Sequence, residues 1–394
     1  WVALHRACAA IGIDGDDPDE LVRRGRHRAN AGDPDAELDF HQALQSAHAR
    51  DPRWTVELVE RWDAIPLDGD PRRPPDPDVV RRRCEGWALG ARAARMCGRS
   101  AAARRWIDLC RARATERGWT DLEPRLLHEE GGLAQDLGRP TEARAWFAAA
   151  ARAATNDAVR LSAQLAGAGV ALELGELDTA AAAFTDVIDG AAALPLLAAR
   201  ARVSLGAVRL QQGEPDVALS EIGQALPVLD GHGSRWDLAQ AHNQLAEAHR
   251  ATGDLAQAEQ HYRRARELHR DLGSWAGVFA ELNLHLIGFA RGRHAAQEPG
   301  LERILWFARQ DGRPVVEVAA RACLIRVAAQ AGRWDKVAAH LAPLTDRLAQ
   351  TRMVHADLAA LLSDATAIAT DAEAEVAVPL RALADTQVRA LDRA

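Results

Sequence analysis

His128, Glu129 and Glu130 stand in a row in the stretch LLHEEGG, and imidazole and carboxylate groups are typical ligands of divalent metals. The stretch carries a helical pattern, however, and consecutive residues of a helix point about 100° apart. These three side chains therefore cannot converge on one ion. Two further pairs share a helical face at a spacing of seven, which favours solvated or capping roles over metal ligation: His41 with His48, and His242 with His249. The sequence predicts no metal and no cofactor.

Motifs of phosphate, dinucleotide and acyl-transfer chemistry are missing from the sequence. Lys336 is the single lysine and lacks the glycine frame of a phosphate-binding loop, and no GxGxxG, GxSxG or HExxH occurs. The stretch GARAARMCGRS at 90–100 has glycines but no lysine, and it falls inside a helical pattern. Nothing pairs a nucleophile with a base. We predict that the chain is not an enzyme; a site assembled from several distant segments is the alternative.

Composition indicates a helical globular protein. Hydrophobic residues make up 48% of the 394 residues and charged residues 27%, helix formers dominate, and β-branched runs are scarce. A net charge of −7 argues against general affinity for nucleic acid. The sequence has no membrane-length apolar run and no signal-peptide pattern, so we expect a cytoplasmic protein with no membrane partner. Five dispersed cysteines predict free, buried thiols: Cys8, Cys84, Cys97, Cys110 and Cys323.

Glycines recur with a period near 40 where one helical pattern ends and the next begins. They are Gly98, Gly138, Gly175, Gly213, Gly253, Gly292 and Gly332. Such a period, with two amphipathic stretches per unit, predicts a solenoid of antiparallel helix hairpins.

Residue size is also regular after the first five of these glycines. An alanine follows at the fifth position (as at Ala258), a large side chain at the ninth (as at Tyr262) and a smaller one at the twelfth (as at Ala265). Small side chains are expected where two helices cross closely, and the large one is expected at the seam between successive hairpins. After Gly292 the alanine register breaks and Pro299 appears, so we expect that hairpin to be bent or offset.

This spacing resembles the tetratricopeptide repeat, with Leu205-Gly206 and Leu245-Ala246 matching the first-helix pair of its signature. The resemblance implies an all-α, right-handed superhelical solenoid whose first helices line an inner wall. The period exceeds the usual 34 residues, and the closing proline is absent. The long units resemble the C-terminal arrays of bacterial ATPase and kinase signalling regulators.

We expect four segments along the chain. Residues 1–64 form a helical lead-in or N-terminal cap with one degenerate repeat, in which Ala36, Phe40 and Ala43 take the small, large and small positions. Residues 65–78 form a Pro-rich link, residues 79–350 a solenoid of about seven hairpins, and residues 351–394 capping helices.

Residues at fixed distances before each turn glycine are expected on the inner wall, where hairpin stacking does not need them. The partner-binding candidates are Arg92, Arg95, His128, Gln135, Asn243, Glu247, Arg250, Leu282, Leu286, Phe289 and Arg326. An apolar floor with polar edges suits a peptide. Burial of Leu282, Leu286 and Phe289 against the neighbouring hairpin is the alternative. Residues 72–117 carry 13 arginines against five acidic residues, which indicates a solvated surface, a domain contact or, least well, nucleic acid.

The sequence therefore predicts a ligand-sensing or protein-interaction module that binds a protein or peptide on its concave face. Because the chain begins at Trp1 rather than methionine, we expect it to be part of a larger signalling protein, where a neighbouring ATPase or kinase domain is a candidate partner. A free-standing adaptor that assembles a complex is the alternative.

Overall fold

A computed structural model describes Val2, Ala3, Ala9 and residues 17–31, 33, 35–47, 51–67, 75–231, 235–351 and 355–391. Within these ranges the chain is α-helical and contains no β-strand. In chain order the helices are α1 (Pro18–Asn30), α2 (Ala36–Ala47), α3 (Pro52–Asp63), α4 (Pro77–Met96), α5 (Ser100–Arg117), α6 (Glu123–Asp136), α7 (Pro140–Ala153), α8 (Asp157–Glu173), α9 (Leu177–Gly190), α10 (Pro195–Gln211), α11 (Pro215–Gly231), α12 (Arg235–Ala251), α13 (Leu255–Asp271), α14 (Gly277–Ala290), α15 (Glu298–Gln310), α16 (Pro314–Gln330), α17 (Trp334–Thr351), α18 (Ala356–Asp371) and α19 (Ala377–Leu391).

From α4 onward, consecutive helices pair into antiparallel hairpins. The first helices are α4, α6, α8, α10, α12, α14, α16 and α18, and each is followed by its second helix. The turn glycines end the first helices as predicted. Gly98, for example, has a φ of 74°; its N–H donates to Arg95 O, and the N–H of Arg99 donates to Ala94 O. This Schellman arrangement satisfies the last carbonyls of the helix. Glycine adopts the left-handed conformation that it requires without strain.

The alternation of small and large residues is a packing requirement, as the sequence predicts. Ala218, Ile222 and Ala225 are buried, and so are the corresponding residues of the other regular hairpins. The large side chain packs inside its own hairpin as well as at the seam. A Cβ on Gly206 of α10 would lie 2.6 Å from Ile222 Cγ1 of α11, whereas Phe184 of α9 joins a core with Leu205 of the next hairpin. The large residue at this position therefore packs both within its own hairpin and against the next one.

An eighth hairpin, α18 with α19, closes the described chain and lacks the glycine signal. Glu373 takes the turn position with a φ of 51°, and the same two backbone bonds form, from Glu373 N to Thr370 O and from Ala374 N to Ala369 O. Leu362 and Leu380 are buried in one core with α16 and α17. The C-terminal helices therefore repeat the hairpin design of the preceding units.

The hairpin that contains Pro299 is offset, which is one of the two outcomes expected from the sequence. A 3₁₀ turn at Ala295–Gln297 precedes α15, and Pro299 occupies the first turn of that helix. Proline is well tolerated there because the amide in that position has no acceptor within the helix. The second helix simply starts later after Gly292 than in other units, which accounts for the displaced alanine register.

The N-terminal helices α1 to α3 share one hydrophobic core with α4 and α5, and Phe40 and Trp62 lie in it. Ala36, Phe40 and Ala43 are buried, in agreement with the degenerate repeat, while Gly32 lies outside the described residues. Of the Pro-rich stretch, residues 68–74 also lie outside them, and α4 already begins at Pro77. The segment boundaries drawn from the sequence stay predictions.

A buried ion pair ties the N-terminal helices to the repeats. Arg83 of α4 is 1% exposed and pairs with Glu37 of α2, which also accepts a 2.6 Å hydrogen bond from Trp62 Nε1 of α3. The guanidinium also donates to Ile65 O at 3.1 Å. Because a buried guanidinium needs several acceptors, this network fixes α2 and α3 against α4.

By its internal contacts the chain divides into two compact units. Unit 1 comprises Trp1–Gln244 with Leu268–Trp275, and unit 2 comprises Leu245–Glu267 with Ala276–Ala394. Cys84, Cys110 and Cys323 are free and buried as expected, Cys97 is free but only half-buried, and Cys8 lies outside the described residues. Among the described helices, none combines the length and apolarity that crossing a bilayer requires.

Candidate functional site

The surface formed by the first helices α4, α6, α8, α10 and α12 (to Gln244) of unit 1 is here called the inner face. Adjacent first helices are joined across it by side-chain contacts. Gln135 of α6 donates to Glu173 of α8 at 3.0 Å, and Arg200 of α10 binds Asp237 of α12 at 2.6 Å. The charges of Arg200 and Asp237 also act on Arg92 of α4. First helices several hairpins apart therefore face a shared space.

Arg95 of α4 is the central ionic group of this face. It binds Glu129 at 2.9 Å and Asp136 at 2.8 Å, both on α6. Its guanidinium lies directly over Gly132, where a Cβ would come within 1.9 Å of Arg95 Cζ. The glycine thus leaves room for the ion pair, which explains why a residue without a side chain stands at an inner position of α6.

Arg92 and Arg125 differ from Arg95 because they have no hydrogen-bond or ion-pair partner among the described residues. Arg92 stands one turn before Arg95 on α4 and is exposed, and Arg125 stands one turn before Glu129 on α6 and is half-buried. Burial lowers the pKa of Arg92, Glu129 raises it, and Arg200 lowers it, with a net decrease. The group is thus accessible to solvent yet surrounded by protein.

The HEE stretch spreads its side chains in three directions. His128 meets Phe147 edge-on at 5.2 Å, Glu129 binds Arg95 of α4, and Glu130 binds Arg104 and Arg111 of α5. Burial lowers the pKa of His128, so its ring is neutral near pH 7. Burial raises the pKa of Glu129, but the surrounding cations, led by Arg95, lower it overall and keep it ionised.

Asn243 of α12 carries an unsatisfied acceptor. Its Oδ1 is buried and has no hydrogen-bond partner in the described structure. Buried amide oxygens are normally paired, so an unpaired one on a surface-lining helix marks a position where a ligand donor would be favourable.

In unit 2 the chain's own residues engage the predicted inner-wall groups. Arg250 of α12 binds Asp357 of α18 through both nitrogens, at 3.0 and 2.9 Å, and Glu247 at 2.8 Å. Asn283 of α14 donates to Glu247 at 2.5 Å. Burial lowers the pKa of Arg250, but Glu247 and Asp357 raise it overall, which keeps the guanidinium charged. The terminal nitrogens of Arg250 are therefore engaged within unit 2, whereas its buried Nε has no hydrogen-bond partner in the described structure.

The remaining candidates in unit 2 are largely occupied. Leu282 is 5% exposed and packs in the protein, so it is not available as an apolar floor. Leu286 is half-buried, and Phe289 stacks on His294 at 5.5 Å. Arg326 binds Asp364 at 3.3 Å and Gln330 at 2.8 Å. The apolar groove expected here therefore loses Leu282, which is buried.

The arginine-rich segment 72–117 does not form an open basic surface. Most of its described arginines have acidic partners: Arg81 with Asp121, Arg83 with Glu37, Arg95 with Glu129, Arg99 with Glu60, Arg104 and Arg111 with Glu130, Arg105 with Asp63, and Arg113 with Glu116. These partners lie outside the segment except for Glu116, and Arg81 also pairs with Glu85 inside it. A local charge count therefore overstates the positive potential.

The histidines whose spacing was considered for metal binding make other contacts. His41 bonds Glu85 at 2.9 Å, His249 stacks on His261 at 5.4 Å, and His48 lies outside the described residues. Within the part of the chain that the structure describes, no three His, Cys, Asp or Glu side chains are grouped to hold a metal. Arg125 is not among the residues predicted from the sequence, because it lies 13 residues before Gly138, about one turn further back than His128.

The hairpins, their turns and their small-to-large crossings define a helical solenoid of the tetratricopeptide-repeat type. The tetratricopeptide repeat family model matches residues 197–272, which cover α10 to α13. No curated protein matches the sequence.

Solved structures extend the likeness to most of the chain. A Rap protein complexed with competence and sporulation factor superposes with a TM-score of 0.65 at 13% identity, covering 91% of this chain and 98% of that one. The Rap conjugation gene regulator of plasmid pLS20, in complex with the Phr* peptide, gives 0.56 at 12%, covering 91% and 96%. Aspartyl phosphate phosphatase F from Bacillus subtilis gives 0.51 at 12%, covering 87% and 96%. At these identities the likeness establishes the fold.

Proposed function

We propose that the chain is a non-catalytic, ligand-sensing module of a signalling protein, and that it binds a peptide or protein segment on the inner face of unit 1. The unpaired Oδ1 of Asn243 carries the proposal, because an extended peptide offers backbone N–H donors of the kind that this oxygen lacks. Unpaired Arg92 and Arg125 on the same face add groups that hairpin stacking does not use.

The structural likeness to known proteins also supports binding of a peptide or protein segment. Two of the similar proteins are Rap proteins, one complexed with competence and sporulation factor and one with the Phr* peptide. A helical solenoid of this kind offers a partner an elongated face built from several hairpins. Restraint of a neighbouring ATPase or kinase domain is the regulatory setting that we propose for it.

Selection of a random peptide library on the full 394-residue chain tests this function. We expect selected peptides to bind Asn243→Ala about fivefold more weakly than the natural chain, the loss of one hydrogen bond. Gln224→Ala, which removes an exposed amide from the second helix α11, is the matched control and should bind normally. Failure to enrich any peptide, or equal binding by both variants, would refute an inner-face site at Asn243.

A further inference from the structure

Trp306 and Phe307 lie side by side on the exposed face of the second helix α15, in unit 2. They are 57% and 52% exposed, and their rings meet edge-on with centroids 4.9 Å apart. No other aromatic side chain among the described residues is exposed. Aromatic side chains contribute most when they are buried in a core or an interface. An adjacent pair of them in contact with water therefore indicates a surface that another molecule covers.

Helix α15 holds the aromatic pair on a fixed support. Its Leu301 and Ile304 are buried in the protein. Glu298, in its first turn, binds Arg333 and Lys336 of the neighbouring second helix α17, each at 2.9 Å. The rings are thus exposed on a helix that is anchored on its other sides. A surface that is already formed loses little conformational freedom when it binds a partner.

Charges of opposite sign flank the aromatic pair along α15. Glu302, one turn before Trp306, is 48% exposed and approaches His340 of α17 at 3.9 Å. Burial lowers the pKa of His340, so its ring is neutral near pH 7 and does not compensate the carboxylate. Arg309, one turn after Trp306, is exposed and has no hydrogen-bond or ion-pair partner among the described residues. Seven residues span about 10.5 Å of helix, so Glu302 and Arg309 do not pair within α15.

This arrangement is complementary to itself under two-fold symmetry. Two copies of a helix related by a two-fold axis perpendicular to it run antiparallel, so residues before the axis lie opposite residues after it. Glu302 stands four positions before Trp306 and Arg309 three positions after it. With the axis at Trp306, Arg309 of each copy therefore faces Glu302 of the other. The aromatic rings of both copies pack at the centre, between two ion pairs.

The charge pattern also argues against partners of other classes. Arg303, the second cation beside the rings, already binds Glu281 of α14 at 2.7 Å. The face therefore lacks the excess of positive charge that nucleic acid or an anionic membrane surface requires. An aromatic centre with a polar rim of both signs is typical of a contact between proteins.

We infer that the chain self-associates through α15 into a two-fold dimer. Trp306 and Phe307 form the centre of the contact, and Glu302 and Arg309 form an ion pair on each side of it. The dimer is reversible, because the apolar area that one helix exposes is small beside that of a permanent interface. This inference is independent of the peptide binding proposed above, which uses residues of unit 1.

Sedimentation equilibrium of the full 394-residue chain tests the dimer. We expect a monomer–dimer equilibrium with a dissociation constant in the micromolar range. Trp306→Ser should raise this constant at least about tenfold, because it removes a central aromatic side chain from the contact. Val217→Ser is the matched control: it removes a 43% exposed apolar side chain from the second helix α11 and should dimerise like the natural chain.

Charge reversal tests the two-fold arrangement. Glu302→Arg and Arg309→Glu should each raise the dissociation constant about tenfold, because each places like charges opposite one another. The double variant Glu302→Arg with Arg309→Glu should return to within about twofold of the natural chain, since each reversed charge again faces its opposite. Thermal melting of each variant confirms that it is folded.

Three results would overturn the inference. The first is a chain that stays monomeric at the highest concentration measured, which would leave the aromatic pair to a different partner or to none. The second is an equal dissociation constant for Trp306→Ser and the natural chain. The third is a double charge reversal that dimerises no better than the single ones. None of these results bears on peptide binding, which the library selection with Asn243→Ala tests separately.

Discussion

Arg250 of α12 and Asp357 of α18 form a bidentate ion pair although 107 residues separate them. Both nitrogens of the guanidinium engage, and Glu247 and Asn283 extend the contact into a network within unit 2. The pair therefore connects first helices that lie three hairpins apart along the chain. As a result, Arg250 and Glu247, which the sequence predicts to bind a partner, are in contact with other residues of the chain itself.

Asp357→Asn should destabilise unit 2 by about 1–2 kcal/mol, because the partly buried guanidinium of Arg250 loses a charge-assisted partner. Urea unfolding monitored by circular dichroism measures the change. Asp364→Asn is the control, since Asp364 is 62% exposed beside Arg326 and exposed pairs contribute at most about 1 kcal/mol. Equal effects of both substitutions would contradict a special contribution from the long-range pair.

Glu37→Gln should cost about 3–5 kcal/mol, because it leaves Arg83 buried without a counter-charge. The double variant Glu37→Leu with Arg83→Met should be markedly more stable than the single variant. Denaturant midpoints of the three proteins measure these differences. An effect of Glu37→Gln as small as that of Glu57→Gln, whose partner Arg61 is exposed, would show that the pair does not hold α2 to α4.

Substitution by alanine should change stability in opposite directions at two glycines in helix interiors. Gly206→Ala places a methyl group 2.6 Å from Ile222 and should destabilise by about 1–3 kcal/mol. Gly169→Ala meets nothing within 4 Å and should stabilise by about 0.5–1 kcal/mol through helix propensity. Thermal unfolding of both variants is the measurement, and changes of the same sign would refute the crossing contact.

Glu373→Gly should stabilise the last hairpin by about 1 kcal/mol, since Glu373 has a φ of 51° and glycine adopts that conformation without steric cost. Gly332→Glu, the reverse change in the preceding hairpin, should destabilise by a similar amount. Hydrogen exchange of the α18 amides reports the effect locally. A loss of protection in Glu373→Gly would mean that the glutamate side chain, rather than the turn geometry, holds the hairpin.

His269 should make folding sensitive to mild acid. Burial lowers its pKa to about 4 from an ordinary 6.5, and its ring meets Trp236 edge-on at 5.2 Å. The unfolded chain binds this proton below about pH 6.5 and the folded chain only below about pH 4, so stability is lost as pH falls between those values, by about 3 kcal/mol in total. Urea midpoints at several pH values should show a shallower decline for His269→Phe. If the urea midpoint of His269→Phe declined with falling pH as steeply as that of the natural chain, His269 would be excluded as a source of the acid sensitivity.

Local spacing sufficed to predict the hairpins. Helix ends at left-handed glycines and small residues at crossings are short-range requirements of the backbone, so Gly98, Ala218 and Ile222 could be placed from the sequence. For residues 351–394 the sequence predicts only capping helices, because Glu373 fills the position where the other turns have glycine. The broken alanine register after Gly292 leaves a bend and an offset open, and the start of α15 at Glu298 shows the offset.

The amino-acid sequence by itself determined the helical hairpins and which side chains could face inward, because both follow from periodicities of one helix and one turn. Only the tertiary structure decided which of those side chains are free. Arg95, Arg250 and Arg92 are all predicted to face inward, yet the first two have carboxylate partners and the third has none among the described residues. That difference depends on how hairpins stack across tens of residues, and no local spacing encodes it.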